Sequence, residues 1–143
     1  MNYQKIRAAV ENPLLTAFGA LSPAVPVFFD NITAAPLNSN TEHVRVNINF
    51  GLTNEPTLNS SVDDARGVIS IRIYTEKGKG PARNQTLVTS AVGVLETLND
   101  SAKTNAGVFF RVGQIEGPSF SSTETSPLFA STIDTSFVAT VLS

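Results

Sequence analysis

Residues 43–50 read HVRVNINF and residues 67–74 read GVISIRIY, and these two stretches decide the fold. Each places apolar residues at every second position: Val44, Val46, Ile48 and Phe50 in the first, and Ile69, Ile71 and Ile73 in the second. In an extended chain, successive side chains point to opposite faces, so strict alternation is typical of a strand with one buried face. The pattern predicts two neighbouring antiparallel strands that share one apolar face and one wet face.

The segment between these strands, residues 51–66, is polar and much longer than a hairpin needs. Two antiparallel strands require only two to five linking residues. We therefore expect a long loop here. Loops of this length are usually functional or disordered.

Two amphipathic helices flank the strand pair. The first has apolar residues at steps of three and four: Tyr3, Ile6, Val10, Leu14, Phe18 and Leu21. Pro13 interrupts that helix at a cost of about 3 kcal/mol, which predicts a kink, or two stacked pieces with Asn12 capping the second. The second helix follows Gly80 and Pro81 and has its own apolar stripe: Leu87, Val88, Ala91, Val94, Leu95 and Leu98.

Three further strands complete the predicted order. Residues 25–29 form a short strand, which Pro26 assigns to a sheet edge because proline donates no ladder hydrogen bond. Residues 107–114 form another strand, and the chain ends in a strand through Phe137, Ala139 and Val141. Residues 30–41 and 117–128 are interpreted as loops. This order predicts one α+β domain over residues 1–143, an antiparallel-rich mixed sheet with both helices packed on one face.

Composition excludes several classes of function. Ten Lys and Arg against twelve Asp and Glu leave a net charge of −2, whereas duplex-binding domains carry a basic excess. With no cysteine, disulfides and thiolate chemistry are excluded. The first residues lack the apolar core of a signal peptide, and no stretch approaches the roughly 20 apolar residues of a membrane span. We expect a protein without membrane or sequence-specific nucleic-acid partners.

The residues for catalysis are also sparse. His43 is the only histidine, and its strand position predicts a solvated side chain on the wet face. Gly78-Lys79-Gly80 lacks the rest of a phosphate loop, and Asp63-Asp64 lacks the surrounding pattern of a calcium loop. We therefore predict that the chain is no enzyme and holds no cofactor or metal. A small hydrolase using His43 stays as an alternative.

The order of elements resembles the tail-terminator, or tail-completion, family of tailed bacteriophages. The resemblance spans nearly the whole chain and rests on these segments: the helix at 6–11, the Pro26-Val27-Phe28 strand, the turn at 31–36 before Val44-Arg45-Val46, and residues 67–98. In the last segment, a strand headed by Gly67 ends in a Gly-x-Gly turn and runs into the second helix. The chain departs from relatives at Ala34 and Ala35, near which an aromatic residue is common in the family.

The resemblance implies a function. Such proteins form a hexameric ring that caps the finished tail tube and provides the surface on which the filled head docks. The implied partners are copies of the chain itself, the tail tube protein and a head-completion or connector protein; DNA passes through the ring. The implied location is the virion, with assembly in the host cytoplasm. A head-closure or connector ring, and a peptide-binding module that adds a strand to a sheet edge, remain alternatives.

We expect the ring and tube contacts to involve the predicted loop at 51–66 and its flanking strands. The candidate interface residues are Arg45, Glu55, Asp63, Asp64, Arg66 and Arg72. Their charges would set the register of contacts between subunits more than the affinity. The alternative is that these residues form a solvated surface.

Overall fold

The computed structural model of the chain describes residues 3–21, 25–29, 42–54, 62–76, 82–100, 108–121 and 128–142. Its elements in chain order are α1 (Tyr3–Gly19), β1 (Val27–Phe28), β2 (His43–Asn54), β3 (Val62–Glu76), α2 (Ala82–Asp100), β4 (Val108–Ser121) and β5 (Leu128–Leu142). The predicted order of elements is confirmed. The predicted loop at 30–41 lies outside the described residues.

The strands form one mixed sheet in the order β1-β2-β3-β5-β4. β1 runs parallel to β2, and all other neighbours are antiparallel. Both helices pack on the same face of this sheet, which we call the inner face. The predicted α+β class, with an antiparallel-rich mixed sheet and helices on one face, is confirmed.

The core lies between the inner face and the two helices. The alternating apolar residues of β2 and β3 point into it, and Ile69, Ile71 and Ile73 are fully buried. From β5, Ile133, Phe137 and Ala139 join them. Burying side chains of this size stabilises the fold by roughly 1.5–3 kcal/mol each. The period-two pattern therefore decides which face of the sheet the helices cover.

Helix α1 continues through Pro13 and is not divided into two pieces. On either side of the proline, Ile6, Val10, Leu14 and Phe18 are fully buried against the sheet. Each contributes roughly 1.5–3 kcal/mol through burial, which together exceeds the cost of about 3 kcal/mol for one internal proline. Tertiary packing therefore outweighs the local preference for a break.

The start of α2 is fixed to the sheet by the buried Asn84. Its Nδ2 donates to the carbonyl oxygen of Ile73 at 3.2 Å, to Thr75 Oγ1 at 3.2 Å and to the carbonyl oxygen of Phe129 at 3.4 Å. Its Oδ1 accepts a short hydrogen bond from Ser131 Oγ. One amide thus links α2 to both central strands, with all of its polar atoms satisfied inside the core.

The long loop predicted at 51–66 is wrong. β2 extends to Asn54 after a bulge between Phe50 and Leu52, and β3 starts at Val62, so the connection is only residues 55–61. The first residues of β3 pair with the end of β5. There Ala65 lies opposite Ala139 and is fully buried. A distant strand supplies the hydrogen bonds that the local sequence does not predict.

The loop predicted at 117–128 is partly wrong for a similar reason. β4 continues to Ser121 by pairing with β5, with register shifts at Val112/Ile115 and Glu116/Ser119. Gly117 has a φ of 106°, a left-handed conformation that favours glycine, and it precedes a cis bond to Pro118. These irregular residues resemble loop formers in sequence, but they are bulges within a strand.

The edge position predicted for the first strand is confirmed. β1 has only two residues in the ladder, and the Pro26 carbonyl just before it accepts a hydrogen bond from the Val44 amide at 2.9 Å. Proline is tolerated here because the contact uses its carbonyl and not an amide hydrogen.

Candidate interaction surface

The face of the sheet opposite the helices, which we call the outer face, has no cover among the described elements. Its side chains are those that alternate with the core residues of β2, β3, β5 and β4. Cross-strand partners share a face, so the ladder register arranges them in rows across the sheet. Many of them are exposed, including Asn47, Val68, Arg72 and Ser136. This surface is the part of the described sheet that the core does not use.

Two arginines form one row of the outer face. Arg45 on β2 lies directly opposite Arg72 on β3, and the row continues through Thr132 on β5. The Arg45 guanidinium carbon lies 6.0 Å from the centre of the Phe28 ring. No ion pair joins either arginine to a carboxylate in the part of the chain that the structure describes. The sequence prediction that these two residues lie on the strands of the hairpin is confirmed.

Two carboxylates form part of the next row. Glu116 on β4 lies directly opposite Asp134 on β5. Both line a polar cavity of about 340 Å³, together with Val68, Gln114, Thr135 and Ser136. The cavity forms where β4 bulges after Val112, and the Thr135 hydroxyl lies 3.4 Å and 3.3 Å from the carbonyl oxygens of Gly113 and Gln114. The outer face thus carries a basic pair on one half and an acidic pair on the other.

His43 corrects the sequence prediction of a solvated side chain. It lies on the outer face, but it is only 7% exposed. Its ring stacks on Tyr74 with centroids 4.6 Å apart and meets the edge of Phe28 at 6.0 Å. Aromatic neighbours from the adjacent strands cover it, which strand alternation alone cannot show.

The other predicted interface residues are distributed differently. Arg66 is exposed on the outer face, on a row with Val138 and Arg111. Asp64 belongs to the row after that of Arg66, where its Oδ1 accepts a hydrogen bond from Thr140 Oγ1 at 2.8 Å. Both are strand residues, so their predicted place in a loop is wrong.

The two remaining candidates cannot be assigned to this surface. The Asp63 backbone pairs with Val141 in the ladder, and the Asp63 side chain lies outside the described set. Glu55 also lies outside the described residues. The structure therefore brings Arg45 and Arg72 together and separates them from Asp64.

Within the described ranges, no three His, Asp or Glu side chains lie close enough together to hold a metal ion. The described helices include none that is long and apolar enough to span a bilayer. The ion pairs seen are structural: Arg83 meets Glu42 at 3.0 Å, and Arg7 meets Glu11 at 3.5 Å along α1. The chemistry that the outer face offers is that of charge and hydrogen bonding.

The sequence analysis missed the acidic pair. Asp134 alternates with the buried Ile133 and Thr135, and this pattern identifies it as an outer-face residue. Glu116 follows Gly113 and precedes Gly117 and Pro118, so the local sequence resembles the end of a strand. Only the pairing of β4 with β5 places the two carboxylates side by side.

No protein-family model matches the chain, and no curated protein is similar to it in sequence. Among the solved structures with a similar fold, one has a TM-score of 0.72 over 97% of this chain and 96% of that chain. The two sequences are 21% identical, and that structure is described by neither a family nor an activity. At this level of identity the likeness shows the fold alone, so it establishes a shared α+β architecture and assigns no function.

Proposed function

We propose that this chain is a structural subunit of the tail-terminator type, which forms a ring, caps the completed tail tube and offers the surface to which the head binds. The observation that carries the proposal is the one-sided sheet. Helices cover only the inner face, while the outer face and the β4 edge have no cover among the described elements. The order of elements resembles that of the tail-terminator family, and this resemblance indicates which assembly we propose.

The two edges of the sheet suit a ring. One edge is formed by β2 with the two-residue β1 beside it, and the other by the fourteen-residue β4. Contacts through opposite sides of a subunit are heterologous, and they close into a ring when the rotation between neighbours allows it. The bulges in β4 limit uncontrolled strand pairing at that edge. This geometry is consistent with assembly, and the number of subunits, six, comes from the resemblance.

Under this proposal, the charged residues of the outer face serve contacts with neighbouring subunits or with the tube. Arg45, Arg72, Arg66 and Asp64 are placed on that face by the ladder register. Charges at such contacts select the partner and its orientation. Glu55 and the connection at 55–61 stay candidates for the same role. The tube protein and a head-completion protein are the proposed partners.

Electron microscopy of the purified chain mixed with tail tubes tests this function. We expect a ring of density at one end of each tube, absent from tubes alone. A variant that keeps the fold but carries a short Gly-Ser linker in place of residues 55–61 separates the role of the connection from that of the sheet. Tubes that bind no wild-type chain, at a concentration where the chain is folded, would contradict the proposal.

The open β4 edge favours one alternative, a module that recognises peptides by strand addition. Such a module would bind an extended peptide along β4 and ignore tail tubes. The same microscopy experiment discriminates between the two, because only the first function produces capped tubes.

A further inference from the structure

We propose that the outer face pairs with the outer face of a second copy of this chain. In this pairing, the Arg45–Arg72 pair of each copy enters the acidic cavity beside Glu116 and Asp134 of the other. The inference concerns an interaction surface and its partner. It goes beyond the proposed function, since it holds whether or not the chain caps a tube.

Each pair has an energetic cost within one copy. Like charges directly opposite on neighbouring strands destabilise a sheet, and the outer face carries two such pairs, Arg45–Arg72 and Glu116–Asp134. Local choices that oppose the stability of the fold are expected at functional sites. Within one copy Arg72 lies one row from Asp134 on the adjacent strand, whereas Arg45 and Glu116 lie on strands distant from the opposite pair. A partner of opposite charge offsets the repulsion at these two residues. Each pair is the charge complement of the other.

The positions of the two pairs also suit contact with a second copy. The arginines lie on β2 and β3, the carboxylates on β5 and β4, so the two pairs occupy opposite halves of the sheet. A two-fold axis lying between two facing sheets exchanges these halves and forms the same contact twice. Along the strands the pairs are one row apart, or about 7 Å at 3.4 Å per residue. An arginine side chain spans that offset.

The outer face also exposes an apolar residue one row beyond the carboxylates, on the side away from the arginines. Val68 on β3 is 44% exposed on the outer face and lines the acidic cavity. Burying exposed apolar surface favours a protein partner over a free ion. A second copy covers Val68 and brings its arginines to the cavity in the same step. A free cation would satisfy the carboxylates but leave Val68 and the arginines exposed.

Sedimentation equilibrium on the purified chain, without tubes, tests the pairing. We expect the wild type to show twice the chain mass of 15.2 kDa, and to dissociate at high salt because screening weakens ion pairs. The double variant Arg45→Glu/Arg72→Glu and the double variant Glu116→Arg/Asp134→Arg should each weaken self-association by about a hundredfold or more. Mixed in equal amounts, the two variants should form a heterodimer, because the four residues of the two pairs are then all acidic on one outer face and all basic on the other.

A control is Arg111→Glu, which reverses an exposed charge on the same face but outside both pairs and outside the contacts proposed above. It should still form the dimer, and circular dichroism should show all variants folded. A monomeric wild type, loss of the dimer in the control, or no heterodimer in the mixture would overturn the pairing. A dimer that behaves as expected but ignores tubes would leave the pairing intact and refute the ring. Capped tubes with a monomeric free chain would do the reverse.

Discussion

Arg45 and Arg72 are directly opposed across the β2–β3 ladder, and their row offers no carboxylate among the described residues. In the separate chain, two like charges in this position repel each other. Arg72→Glu replaces the repulsion with a cross-strand ion pair. We expect it to raise the free energy of unfolding by about 0.2–1 kcal/mol, measured by urea denaturation at a protein concentration where the chain is monomeric.

The control for this effect is Arg72→Lys, which keeps the like charges and should leave the urea midpoint almost unchanged. If Arg72→Glu lowers stability while Arg72→Lys does not, the arginine pair contributes to the fold of the single chain. In that case repulsion between the arginines does not support pairing between outer faces.

Asn84 connects α2 to β3 and β5 through its buried amide. Asn84→Ala leaves the hydroxyls of Thr75 and Ser131 without this partner inside the core, and each buried polar group left unsatisfied costs roughly 1–3 kcal/mol. We expect a loss of about 2–3 kcal/mol in urea denaturation. The adjacent Gln85 is exposed on the same helix, so Gln85→Ala should change stability by no more than about 0.5 kcal/mol. Equal effects of the two substitutions would refute the role given to Asn84.

Gly67 lies where β3 passes the bulge of β2. A Cβ atom there would overlap the carbonyl oxygen of Asn49 and lie 2.9 Å from Phe137 Cε1. Because backbone must move to make room, Gly67→Ala should destabilise the chain by about 1–3 kcal/mol or more. Gly93 in α2 has no atom within 4 Å of such a Cβ, so Gly93→Ala should stabilise the chain by up to about 1 kcal/mol. Thermal denaturation of both variants checks the opposite signs.

His43 tests whether the chain uses a histidine in chemistry. His43→Ala removes a buried ring stacked on Tyr74 and should cost about 1–2 kcal/mol of stability, whereas His43→Phe keeps an aromatic ring and should cost less. We expect both variants to cap tubes at a temperature where they are folded. If His43→Phe is folded but does not cap tubes, the imidazole has a chemical role. The hydrolase alternative would then have to be considered again.

The sequence predicted most of the architecture because alternation and helical spacing are local signals. The inner faces of β2 and β3, the stripe of α2 and the edge position of β1 all follow from residue order. The errors occur at 51–66 and 117–128, where Gly, Pro and polar residues resemble loops. Residues 52–54 of β2 pair with 64–66 of β3, while β5 pairs with the other side of β3 and with residues 119–121 of β4. The position of β5 beside β3 and β4 depends on contacts far apart in sequence.

Some features of the candidate surface likewise follow from residue order, and others depend on the tertiary structure. Residue order alone determined that Arg45, Arg72 and Asp134 point away from the core, because alternation fixes the face of each strand residue. Only the tertiary structure decided that Arg45 meets Arg72, that Glu116 meets Asp134 and that His43 is covered by aromatic rings. The register between strands is a property of the whole sheet, because all strands must bury their apolar residues on the same face. A local stretch of sequence carries no information about which distant residue will lie opposite it.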